Sequence, residues 1–283
     1  MIDIWQYEFF RYAVFGLLII SVVSAMIGTY IVSRRLVAIS GGITHACFGG
    51  LGLGYFLGIS PIFMAAVVAV AASAGVEWMN YRYRVREDSA IAVVWALGMA
   101  LGILFVFLTP GYVPELNTFL FGNVLTISLS DLLAFALFAV VAIIFFVSRY
   151  KQIVACAFDA DFARVMHLPV RFITYTMTVL VAVCIVLTIR LVGIMLLMSL
   201  LALPQMIAET WCRRFISVML ASVAVSVLCC MTGLMLSVVI DVPCSALIVL
   251  VMTGVFFIAR IIEAARRALR RRHNKPLPQS VDL

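Results

Sequence analysis

Apolar residues run in long stretches along this chain, and short strips of Arg, Lys, Asp and Glu punctuate them. A bilayer core about 30 Å thick takes about 20 apolar residues per helix. On that measure the candidate spans are residues 12–32, 37–58, 61–79, 89–109, 131–148, 172–189, 191–208, 215–237 and 244–262. Only Arg190 separates the sixth from the seventh, so the two can also form one bent or partly re-entrant element. The expected fold is all-α: a polytopic membrane protein with eight to nine transmembrane helices.

Composition agrees. Of 283 residues, 65% are hydrophobic and 12% charged, with a mean hydropathy of +1.20. A soluble chain carries about 25% charged residues, so that class is excluded. The net charge of +7 does not point to nucleic acid, because the bases form no continuous face with interleaved aromatics. They mark topology instead, since Lys and Arg gather in cytoplasmic loops. With the N-terminus outside and nine spans alternating, only Arg11 and Arg190 of the 20 bases fall outside, and the C-terminus is cytoplasmic. The first helix lacks a basic n-region and a cleavage site, and is expected to be retained. The seven cysteines show no metal-ligand spacing and read as small buried hydrophobes.

The sequence has no GxxxxGK[ST], so the chain has no nucleotide site of the P-loop kind. It has no HExxH, GxSxG or clustered His/Asp either, and an enzyme is not expected. The longest internal hydrophilic stretch, 149–171, is read as a loop holding a short amphipathic helix in FDADFARVMHLP. Asp159 or Asp161 can cap it. Phe162, Val165 and Met166 give it an i, i+3, i+4 apolar face, and Pro169 stops it. Such a helix either lies on the headgroups or docks a cytoplasmic partner.

The segment DADFARVMHLPVRF, a following span and RLVGIMLLMSLLALPQMIAE together resemble the permease subunits of ABC importers for zinc, manganese and iron. SRRLVAISGGITHACFGGLGLGYFLGISP, REDSAIAVVWALGMALG, FLFGNVLTISLSD and DVPCSALIVLV match in the same order. The resemblance implies a bacterial inner-membrane importer. It would contain two permease copies, or this chain and a close relative, with two cytoplasmic ATPase subunits and an extracytoplasmic metal-binding protein. ATP would be bound by the partner subunit, the transported zinc, manganese or iron ion would be cargo, and this chain would bind no cofactor and no nucleic acid. Residues 1–263 would form the permease domain and 264–283 a basic, partly disordered tail facing membrane lipid. The coupling helix would be 159–168, with Asp159, Asp161, Phe162, Ala163, Arg164, Val165 and Met166 meeting the ATPase. The rival classes are a permease for metal chelates and an ion-coupled secondary transporter.

Ionisable groups inside a membrane are costly and are candidates for function. His45 lies about 12 Å along the second span, and a neutral imidazole suits these metals. Its alternative is a histidine hydrogen-bonded to a neighbouring helix. Many family members carry an Asp four residues earlier, on the same helix face, where this chain has Gly41. Cys47 is rotated away from His45 and reads as packing. Glu209 is a weaker candidate on the exit side, its alternative being an i, i+4 pair with Arg213. Glu77, Asp88, Asp131 and Asp241 sit at span ends, where caps or topology account for them. Gly41, Gly42, Gly49, Gly50, Gly52 and Gly54 predict close helix packing in the second span, or a pore-lining helix with exposed backbone.

Overall fold

A computed structural model describes residues 6–110, 122 and 127–273. The helices are α1 (Glu8–Ser33), α2 (Val37–Leu57), α3 (Pro61–Tyr83), α4 (Glu87–Leu108), α5 (Leu129–Phe158), α6 (Ala160–Val165), α7 (Val170–Ala208), α8 (Phe215–Ile240) and α9 (Cys244–His273). Among the described residues there is no strand, and nine helical segments are long and apolar enough to cross a bilayer. Helices suit that solvent because they satisfy their backbone polar groups internally.

The sixth and seventh apolar stretches form one element, α7, broken at Gly193 (φ 79°, ψ 172°). The interruption therefore falls at the glycine rather than at Arg190, because a side chain rarely adopts this backbone conformation whereas a charge at a helix end costs little. The second leg returns to the end from which the first departed. Thr178 of the first leg meets Glu77 near the C-terminus of α3, while Glu209, just past the second leg, shares a cleft with Arg34 and Phe158. At the break, the backbone of Gly122 (φ 62°) rests on Val192 and Gly193, and a Cβ on Gly122 would lie 2.6 Å from the Val192 carbonyl oxygen.

α7 touches α1, α2, α3, α5, α8 and α9, and α1 packs on α5, α7 and α8. Both α1 and α7 are mostly buried, whereas Phe107 on α4, Val147 on α5, Leu228 on α8 and Leu250 on α9 point outward. Those outward faces suit lipid. Pro204 removes one N–H from the second leg of α7. Gln205 compensates, since its Nε2 donates to the Leu200 carbonyl left over (3.3 Å) and to the Ser24 carbonyl on α1 (3.2 Å). Gly28 on α1 makes room for this, because a Cβ there would collide with the Gln205 amide.

The glycines of α2 pack it between two neighbours. A Cβ on Gly49 would lie 2.8 Å from the Gly98 carbonyl oxygen of α4, and one on Gly50 2.7 Å from Ala65 of α3. Small residues at such spacing let membrane helices approach backbone to backbone. The close-packing expectation is what the structure shows, and Gly49, Gly50, Gly52 and Gly54 are buried. Cys47 is buried as well.

The stretch 149–171 is largely helical and not a loop. α5 continues to Phe158 before α6 begins, because a helix started in the membrane needs no lipid to go on. The basic stretch after residue 263 likewise prolongs α9 to His273, while residues 274–283 lie outside the described residues.

Candidate metal path and docking surface

His45 is half-buried on the face of α2 toward α4, where its imidazole stacks on the indole of Trp95. Among the described residues its ring makes no hydrogen bond, and the stack on Trp95 is the contact it makes with the neighbouring helix. Stacking fixes the ring plane and leaves its nitrogens, whose lone pair and N–H lie in that plane, at the edge. Gly41, one turn earlier, forms a notch filled by neighbours. A Cβ there would lie 3.0 Å from the Met198 methyl and 3.5 Å from the Trp95 ring. No group of three or more His, Cys, Asp or Glu able to hold a metal occurs among the described residues. Among the described residues, this point is bordered by an imidazole, a methionine methyl and an indole rather than by carboxylate oxygen.

A polar network absent from the sequence reading lies at the Arg-rich end. Arg34 donates to the Tyr30 hydroxyl (3.1 Å) and to Glu87 Oε1 (3.2 Å), and the Thr178 hydroxyl donates to Glu77 Oε1 (3.2 Å). Arg171, at the start of α7, stacks over the Tyr81 ring at 3.9 Å. α1 is thus tied to α4, and α3 to α7, where the basic strips gather. Asp131 forms a capping box with Ser128, Asp88 pairs loosely with Arg86 in solvent, and Asp241 ends α8. These are terminal roles, as the sequence suggests. Glu77 is the exception.

Beside that network sits α6, a single turn and a half. Asp159 is its cap, its Oδ1 accepting from the N–H groups of Asp161 (3.0 Å) and Phe162 (2.9 Å). Asp161 pairs instead with Arg164 at 2.6 Å. Ala163 is fully buried against the bundle, whereas Phe162, Val165 and Met166 are 58, 73 and 59% exposed. The apolar face thus points away from the protein. Left-handed His167 (φ 57°) and Pro169 then turn the chain into α7.

Glu209 lies in the Arg-rich cleft with Arg213, and the two make no ion pair. Desolvation there holds its carboxyl above the ordinary value. Five guanidinium groups share the cleft with Glu209, and His45 does not line it.

Residues 6–263 match the ABC 3 transport family. The chain is 33% identical over 267 residues to a probable metal transport system membrane protein of Chlamydia pneumoniae, covering 92% of this chain and 89% of the relative. It is 29% identical over 278 residues to the chelated iron transport system membrane protein YfeD of Yersinia pestis, covering 98% and 93%. Among solved structures, PsaBC from Streptococcus pneumoniae in complex with Fab has the same fold (TM-score 0.79, 24% identity), covering 91% of this chain and 93% of that one.

Proposed function

The chain belongs to the ABC 3 transport family, and from that premise we propose that it is the permease subunit of an ATP-driven importer of zinc, manganese or iron. Two permease subunits form the path, a cytoplasmic ATPase supplies the energy and an extracytoplasmic binding protein delivers the ion. The chain itself hydrolyses nothing. The Arg-rich end faces the cytoplasm of a bacterial inner membrane, in line with the bias of bases toward that side.

The outward-facing apolar triad of α6 carries the coupling part of this reading. A fully buried Ala163 anchors the turn, while Phe162, Val165 and Met166 offer a compact surface for the ATPase. His45 carries the path, and alternating access exposes it first to one side and then to the other.

A second reading concerns the cargo. The Gly41 notch, closed by Met198 and Trp95, withholds a carboxylate and offers a flat aromatic wall, which favours a metal carried within an organic chelate. Reconstitution with the ATPase and binding protein tests both readings through ATP-dependent uptake of labelled manganese, zinc and iron, free or chelated. Uptake of none of them would overturn the assignment.

A further inference from the structure

The ends of α1, α5, α7, α8 and α9 enclose the Arg-rich cleft, whose volume is about 890 Å³. One side of it is cationic. Arg34 is committed to Tyr30 and Glu87, while Arg260 and Arg267 share Glu263. Arg35 and Arg213 also line the cleft and are exposed, and their side chains make no ion pair or hydrogen bond among the described residues. The other side is apolar. Met206 is exposed, and it and Phe256 belong to helical segments long and apolar enough to cross a bilayer, whereas Phe158 ends the part of α5 that runs on past Arg149 and Lys151. The cleft therefore straddles the depth at which hydrocarbon gives way to headgroups.

We propose that this cleft binds an anionic phospholipid, its phosphate held by Arg35 and Arg213 and an acyl chain laid along Met206 and Phe256. A divalent cation would meet five guanidinium groups against two carboxylates, Glu209 and Glu263. Free phosphate has no use for the apolar side. An acidic protein segment needs the arginines but not a wall that continues into the membrane. A lipid uses both, and basic pockets between membrane helices on the cytoplasmic side suit such headgroups. Arg–phosphate contacts are charge-assisted and can be bidentate; a zwitterionic headgroup carries the same phosphate, but its ammonium is repelled by the arginines, which favours a lipid of net negative charge.

The test uses the full-length chain, purified and stripped of lipid, with native mass spectrometry reading the retention of added cardiolipin, phosphatidylglycerol, phosphatidylethanolamine or inorganic phosphate. Cardiolipin and phosphatidylglycerol should be retained at least about tenfold over phosphatidylethanolamine, a difference of about 1.4 kcal/mol. The double variant R35Q/R213Q should lose that preference. R86Q, an exposed arginine at the same end but outside the cleft, should keep it. Equal retention of the three lipids by the wild-type chain overturns the proposal without reference to any variant. So does an equal loss in R86Q, which would mean diffuse surface charge, or displacement of lipid by millimolar inorganic phosphate. If R35Q/R213Q retains lipid normally but no longer co-purifies with the ATPase, the cleft is a protein contact and the lipid assignment falls.

Discussion

The indole of Trp95 lies on the imidazole of His45, ring centroids 4.4 Å apart and planes 12° from parallel. Two helices that meet through glycines thus also meet through a pair of aromatic rings, and the close approach of Gly49 to Gly98 is what brings the rings within stacking distance. The stack presents the edge of an imidazole in a region otherwise poor in ligands.

Replacing His45 by Ala should lower metal uptake per folded molecule far more than it lowers protein abundance. Trp95→Ala removes a stack worth about 1 kcal/mol and should give a smaller loss, while Trp95→Phe should restore most of it. Uptake normalised to folded protein is the measurement, and normal rates in both His45→Ala and Trp95→Ala would remove the pair from the path.

Gly41→Asp should change preference among manganese, iron and zinc. The new carboxylate would share a helix face with His45, and its Cβ displaces only the flexible end of Met198. Slower release is expected along with tighter retention, because a path needs weak binding. Competition uptake with mixed metals reads the shift.

Phe162→Asp should leave the chain in the membrane and abolish ATPase co-purification. Losing an apolar anchor from a small interface costs about 2 kcal/mol. Wild-type transport together with wild-type co-purification would remove α6 from the interface.

Gln205→Leu should destabilise the protein by about 1–3 kcal/mol, because the Leu200 carbonyl freed by Pro204 loses its buried donor. Thermal unfolding in detergent measures it. Restoring the backbone donor with Pro204→Ala in the same chain should recover part of the loss.

Spans were legible because each needs only a run of apolar residues, and α6 because its cap, apolar triad and Pro169 are contiguous in sequence. The break in α7 was displaced in that reading because Arg190 draws attention by charge, whereas Gly193 breaks the helix by backbone conformation. The continuation of α5 to Phe158 was hidden because Arg149 and Lys151 look like loop residues on a hydropathy scale. His45 stood out as an ionisable group within a span, but Trp95 lies fifty residues away in an apolar helix and looks like any lipid-facing aromatic. The link between Arg34 and Glu87 was equally out of reach, since tertiary pairing leaves no periodic trace.

Both legs of α7 are rooted at the end where α6 sits, so under the docking proposed for α6 the element would act as a lever with its fulcrum beside that turn. Its first leg, about 24 residues from Val170 to the break, is about 36 Å long. A tilt of roughly 5° at the root therefore carries the tip sideways by about 3 Å at the scale of that helix, comparable to the diameter of a water molecule. Gly122 rests on that tip. On the proposed coupling, a small push at one face of the membrane would be enlarged at the other, with no part of the helix needing to unwind.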